Sequence, residues 1–218
     1  MQAFDRIKVA VCIAVFLFGA AGCLRMPQET DIVREYTQEQ KVLELLSQGT
    51  EALRRQTPDG VDFAHGAYTL AYELKPRDAR VQDGLGAVAF FRGQLNDAEA
   101  FFKSAAALDP NYDRPYAHLA LVAEKRGDLT AARELLLIAL RMNPLNYRAR
   151  NNYATLLLAQ PGGALTDRRS VEQAYKHLLR VYQTVGVEDP VASVNMAVAR
   201  SRREPLLGTV EATAAGKR

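Results

Sequence analysis

The sequence predicts an all-α protein built as an array of stacked helical hairpins, an α-solenoid, and three observations carry that prediction. Pro76, Pro110 and Pro144 stand 34 residues apart. Aligned on these prolines, small residues fall into columns: Ala64, Ala98 and Ala132, then Ala71, Ala105 and Ala139. The large residues Tyr68, Phe102 and Leu136 fall into another. A fixed period of this length marks a repeat architecture, in which each unit buries its apolar face on the next. Composition agrees, since 48% hydrophobic and 24% charged residues over a length of 218 is globular and excludes disorder and collagen. Two cysteines exclude a disulfide scaffold, and a formal net charge of +3 is too small to argue for nucleic acid.

The chain opens with an address. Arg6 and Lys8 precede a 13-residue apolar run, 9–21, too short to cross a bilayer but matched to a signal-peptide core. Residues 1–22 are therefore expected to be removed. Cys12 leaves with them, and the mature chain keeps one cysteine, with no disulfide to form.

The repeats follow from about residue 42. The unit 79–112 places Leu85, Gly86, Ala89, Ala98, Phe102, Ala105 and Pro110 in sequence. The unit 113–146 fills the same places with Leu119, Ala120, Ala123, Ala132, Leu136, Ala139 and Pro144. Small residues at Gly86 or Ala120, and at Ala98 or Ala132, let two antiparallel helices approach, and Phe102 or Leu136 fills the gap. Gly93 with Leu95, and Gly127 with Leu129, mark the turns between helices. Each proline ends a helix, because the residue before it avoids helical geometry and its ring cannot continue the ladder. Asp78, Asp113 and Asn146 stand where they would cap the next helix.

The flanking units are degenerate, as terminal repeats tend to be. The unit 42–78 keeps Leu45, Gly49, Ala52, Ala64, Tyr68, Ala71 and Pro76, with three extra residues in its turn around 57–60. The unit 147–189 opens with Tyr153, Ala154 and Leu157 and resumes at Ala174, Leu178 and Val181, after about eight extra residues at 160–167 that project as a loop. A helix at 190–203, with Val194, Ala197 and Val198 apolar and Arg200, Arg202 and Arg203 charged, reads as a solvating cap. Residues 205–218 are small and polar and are expected to form a loose tail. The sum is about nine helices with almost no strand.

These residues and their spacing resemble the tetratricopeptide-repeat family, and the resemblance implies a right-handed superhelix. The residues Ala20-Ala21-Gly22-Cys23 resemble the lipobox of bacterial lipoproteins, with Ala20 where Leu is usual. That resemblance implies cleavage before Cys23, lipidation of Cys23 with three acyl chains including palmitate, and a short tether at 23–30. Two or more chains make anchoring stable. Leu24, which is not Asp, implies the outer membrane, lipid-anchored on its periplasmic face.

In tetratricopeptide repeats the first helix of each unit lines the concave groove, so the second residue of each unit, Arg80, Arg114 and Arg148, is a candidate for partner binding. An arginine in a first turn opposes the helix dipole. It is there either to meet an acidic partner or to pair with an acid at a unit boundary, such as Asp78, Asp109 or Asp113. Asn151, Asn152 and His118 are expected on the same lining surface as donors. Asp83 and Ala117 stand where the family's carboxylate clamp has Lys or Asn, a departure from that pattern. Phe90 and Phe91 either pack against the neighbouring unit or present an aromatic anchor in the groove. Residues 23–110 carry 10 basic and 14 acidic side chains and residues 111–218 carry 16 and 10, an asymmetry that would orient a partner lying along the array.

Nothing in the sequence points to catalysis. His65, His118 and His177 fall on separate helices without a second ligand at i+3 or i+4, and no nucleophile elbow, phosphate loop or carboxylate pair appears. No cofactor or metal is expected. The loop 160–167 offers one carboxylate and no base. Small lipoproteins of this build resemble the type IV pilus and secretin pilotins, with the Asn151-Asn152-Tyr153 run opening a repeat. The resemblance implies an outer-membrane scaffold that binds an envelope-assembly protein, a secretin or pilus component. The alternative is an adaptor for cell-wall hydrolases or proteases, or for outer-membrane protein assembly.

Overall fold

The computed structural model describes residues 29–159, 168–185 and 190–215. They form nine helices: α1 (Glu29–Arg54), α2 (Pro58–Leu74), α3 (Ala79–Phe91), α4 (Leu95–Leu108), α5 (Arg114–Lys125), α6 (Leu129–Met142), α7 (Tyr147–Ala159), α8 (Arg168–Val185) and α9 (Pro190–Ala215). No strand occurs among the described residues. The expected signal peptide 1–22, Cys23 and the expected tether as far as residue 28, and the loop 160–167 lie outside them, whereas residues 29 and 30 begin α1. Residues 41–218 form one compact unit. The described residues before 41, 29–40, belong to another, in which the Thr37 hydroxyl donates to the Arg34 carbonyl at 2.8 Å.

The prolines act as expected. α2, α4 and α6 end two residues before Pro76, Pro110 and Pro144. The intervening Lys75, Asp109 and Asn143 have φ of −141°, −135° and −134° and leave the helix, each still donating its N–H to the carbonyl four residues back. Inside each hairpin the chain reverses at a left-handed glycine, Gly93 at φ 76° and Gly127 at φ 81°. There Gln94 N–H reaches Ala89 O and Asp128 N–H reaches Ala123 O, both at 2.9 Å, which satisfies the last carbonyls of the first helix. The first hairpin puts Gln56 in that conformation, at φ 53°. A side chain there is unfavourable, so Gln56→Gly should stabilise the protein by about 0.5–1 kcal/mol in thermal unfolding. An unchanged or lower melting temperature would refute this.

Capping divides the three expected residues. Asp78 accepts from Arg80 N–H at 2.8 Å and Asn146 from Ala149 N–H at 2.9 Å. Asp113 makes no cap bond. Its Oδ2 accepts from Asn146 Nδ2 at 2.6 Å, so it ties two unit boundaries together instead.

The apolar side chains gather in four clusters that step along the array. Val42 and Leu45 meet Ala67, Ala71 and Val81; Ala52 meets Ala64, Tyr68 and Val88; Ala98 and Phe102 meet Leu119 and Val122. The largest cluster runs from Ala117 through Leu136 and Tyr153 to Ala199. Each second helix packs between two first helices, and first helices also touch along the row, α3 on α5, α5 on α7, α7 on α9. The small-residue columns are seats for the large ones. A Cβ at Gly86 would stand 2.6 Å from the Phe102 ring, and one at Gly49 2.7 Å from Tyr68.

Arginines at the hairpin turns tie each hairpin to the second helix of the unit before it, again at the repeat period. Arg92 donates to Asp62 at 2.7 Å, and Arg126, 34 residues on, donates to Asn96 at 2.7 Å and Glu99 at 2.5 Å. Gln82 donates to the Pro76 carbonyl and Arg150 to the Pro144 carbonyl in equivalent places.

Two sequence expectations for the C-terminus change. The helix from Pro190 does not stop at Arg203 but runs to Ala215, because Leu206, Leu207, Glu211 and the alanines favour helix over a loose tail. Within it Ala192, Met196 and Ala199 are the buried residues, whereas Val194, Ala197 and Val198 are exposed.

Candidate partner-binding site

The first helices of the array carry one surface in common, and on it lies a cavity of about 450 Å³. Counting the units from residues 42, 79, 113 and 147, the lining comes from the second, fifth, sixth and ninth places. These are Leu43, Leu46, Ser47 and Thr50 on α1, Arg80, Asp83 and Gly84 on α3, and Arg114 on α5, joined by Glu51, Tyr68 and Tyr112. Gly84 leaves room beside the cavity for the Tyr68 ring. The next units put His118 and Asn152 in its place, and a Cβ on Gly84 would meet the Tyr68 ring at 2.6 Å. Tyr68 therefore reaches from α2 to the cavity edge, where its hydroxyl lies 3.1 Å from Thr50 Oγ1.

Asp83 organises the wall. It is 2% exposed, and it pairs with His118 Nδ1 at 2.7 Å, accepts from the Tyr112 hydroxyl at 3.1 Å and faces the Arg114 guanidinium at 3.7 Å. Burial works against its charge, but His118, Arg114 and Tyr112 outweigh it and hold the carboxyl below its ordinary range. Burial and then Asp83 itself push the Tyr112 hydroxyl far above its ordinary value, so Tyr112 stays a donor. Arg114 also lies over the Tyr112 ring, 5.9 Å from its centroid. Arg80 folds back on its own cap, donating from Nε at 3.0 Å and Nη2 at 2.5 Å to Asp78. That pairing answers why an arginine is tolerated in the first turn. Both arginine side chains remain partly exposed, at 40% and 45%.

The candidate residues separate. Arg80 and Arg114 come together on the cavity, whereas Arg148 does not line it and instead lies over the Tyr147 ring, donating from Nε to its hydroxyl at 3.2 Å. Of the acids expected to pair with the three, Asp78 takes Arg80, while Arg114 faces Asp83. His118 is turned to Asp83 and packs 5.0 Å from the Phe102 ring, which makes it a bracing residue more than a free donor. Asn151 Oδ1 accepts from Asn195 Nδ2 at 2.9 Å, and the Asn152 carbonyl accepts from Thr155. Phe90 packs into the cluster around Phe102, and Phe91 stands 45% exposed with its ring edge-on to Phe90.

Sequence reasoning passed over Asp83 as a binding-pattern mismatch and missed Tyr112. One signal was available. Asp83 and His118 are the fifth and sixth residues of successive units, and Asn151 and Asn195 repeat the same bond one pair of units on. Among the described residues no group of three or more His, Cys, Asp and Glu could hold a metal ion, and no helix is long and apolar enough to cross a membrane.

No protein-family model matches the chain. The type IV pilus assembly protein PilF of Pseudomonas aeruginosa is 33% identical over 107 residues, which is 49% of this chain and 38% of that protein. The chain thus spans well under half the length of this curated relative. A solved structure of Pseudomonas aeruginosa PilF superposes with a TM-score of 0.59 at 16% identity, over 78% of this chain and 72% of that one. The O-GlcNAc transferase of Thermobaculum terrenum superposes at 0.55 with 21% identity, over 67% and 26%. The APC/C hetero-tetramer Cut9–Hcn1 superposes at 0.54 with 19% identity, over 72% and 30%. With its hairpins, its seats for large residues and these neighbours, the chain has the tetratricopeptide-repeat fold, an all-α superhelix, and over 107 residues it is similar in sequence to a pilus-assembly protein.

Proposed function

We propose that this protein is a scaffold of envelope-machine assembly, held to the periplasmic face of the outer membrane by a lipid on Cys23, and that it binds a protein of type IV pilus or secretin biogenesis. The similarity to PilF over 107 residues is the observation that carries the reading. The cavity supports a binding role. It offers the partly exposed Arg80 and Arg114 side chains alongside the apolar Leu43 and Leu46, a surface suited to an acidic segment of another protein. Asp83 and Tyr112 in its wall are engaged with each other and with His118, Glu51 with Arg54 and Arg80 with Asp78, an arrangement that supports recognition as its chemistry.

Pull-down from detergent-solubilised envelope tests this. The wild-type chain is expected to recover a secretin or pilus component. The Arg80→Ala/Arg114→Ala pair should weaken that capture at least about tenfold, the equivalent of one charge-assisted hydrogen bond. Arg148→Ala, away from the cavity, should retain it. Recovery of neither component, or full affinity in the double variant, would refute the reading. Cys23→Ser should move the protein from the membrane to the soluble fraction, and continued sedimentation with membranes would refute the anchor.

A further inference from the structure

α9 is built as the first helix of a fifth unit. Counted from Pro190, its third, seventh and tenth residues, Ala192, Met196 and Ala199, are buried, as are Ala149, Tyr153 and Leu156 in the same places on α7. Its sixth residue, Asn195, donates to Asn151, the fifth of the preceding unit, at 2.9 Å. That is the register in which His118 meets Asp83. Arg202 adds a bond to the Leu158 carbonyl at 2.9 Å. The second, fifth and ninth residues of α9 are then fixed. They are Val191, Val194 and Val198, 59%, 62% and 39% exposed.

These are the places that line the cavity further up the array: Leu43, Leu46 and Thr50 on α1, Arg80 and Asp83 on α3, Arg114 on α5. A solvating cap would carry polar side chains there. This helix instead presents three β-branched apolar ones, where the three preceding units carry Arg80, Arg114 and Arg148 at the second place, Asp83, Ala117 and Asn151 at the fifth, and Ala87, Leu121 and Thr155 at the ninth.

We propose that Val191, Val194 and Val198 form an apolar subsite at the C-terminal end of the partner-binding surface. The partner segment lies along the first helices with an acidic side chain at Arg80 and Arg114 and an aliphatic or aromatic one on the valines. The inference rests on the reading that this surface binds a protein segment. Two observations favour that occupant. The valine face continues the cavity-lining places of the array without a change of register. It is also short, roughly 10 Å along the helix from Val191 to Val198, too small alone for the roughly 1,200 Å² that a stable dimer of the chain would bury.

The test is an arrayed library of random dodecapeptides probed with the full chain in detergent. Wild-type protein is expected to select peptides that combine an acidic residue with Leu, Ile, Phe or Tyr at a preferred separation. Val194→Asp/Val198→Asp should bind those peptides at least about tenfold more weakly and lose the apolar preference while keeping the acidic one. Arg80→Ala/Arg114→Ala should do the converse. Val194→Thr/Val198→Thr, which keeps shape and helix packing, should repeat the first result should the aspartates unfold α9. Selection of acidic peptides with no apolar preference, or an apolar preference that survives both valine variants, would overturn the subsite and leave the parent reading standing. A wild-type dimer dissolved by the valine variants in sedimentation would overturn it too, since a second copy would then cover the face. Peptides indifferent to the arginine pair would remove the parent reading.

Discussion

Phe102→Ala is expected to destabilise the protein by about 3–5 kcal/mol, the range for deleting a large side chain from a close-packed site. Phe102 is 1% exposed, and its ring is enclosed by Ala89, Ala98, Leu119 and Val122, by His118 at 5.0 Å, and by the bare backbone of Gly86. None of these can move far, because each is buried in its own helix pair. Gly86→Ala approaches the same ring from the other side, with its new Cβ at 2.6 Å, and should cost about 1–3 kcal/mol through overpacking. The two changes share one seat. Gly86→Ala should therefore be less damaging in a Phe102→Leu background than alone, with a coupling of about 0.5–3 kcal/mol. Phe91→Ala, at a side chain 45% exposed, should stay within about 0.5 kcal/mol of wild type. Denaturant unfolding measures all four. Additive losses, or equal losses for Phe91 and Phe102, would show that the columns of small and large residues do not hold the hairpins together.

Asp83→Ala should cost about 2–4 kcal/mol, for a different reason. It removes no apolar contact but leaves the Tyr112 hydroxyl, His118 Nδ1 and Arg114 facing a void without an acceptor. Asp83→Asn keeps the shape and one acceptor oxygen and should lose less. The pH dependence has a definite sign. The folded carboxyl titrates below its ordinary range, so its stabilisation is complete above about pH 4 and fades as pH falls toward the folded value. Asp83→Asn should flatten the acid limb of a stability–pH curve. An acid limb identical to wild type would show that the network does not hold the charge. The same substitution should also loosen the cavity, because Arg114 and Tyr112 lose the group that positions them.

The helices and the seats were legible in the sequence because they are periodic. One stride sets Gly86 against Phe102 and places each helix end two residues before its proline, and nothing distant intervenes. The first turn was legible as irregular, and the structure resolves it through Gln56 in a left-handed conformation, with the Thr57 hydroxyl accepting from Gly60 N–H at 3.1 Å. The site was less legible. Its makers lie on three helices, and the decisive feature at Gly84 is the lack of a side chain, which a column of unlike residues (glycine, histidine, asparagine) conceals. Asp83 seemed an intruder among expected cationic or amide residues, although its partners sit 29, 31 and 35 residues away, close to one stride. The face that α9 presents was hidden by the insertion at 160–167. It stretches the spacing of Asn151 and Asn195 to 44 residues and takes the valines out of column with the arginines.

The central claim is that a partner docks on the surface of the first helices. Hydrogen exchange of the full chain, with and without the protein recovered from the envelope, tests it most directly. The expected result is new protection at 43–51, 80–84 and 112–118, with α4 and α6 unchanged. Protection confined to α4 and α6, with those three stretches exchanging as in the free protein, would contradict it.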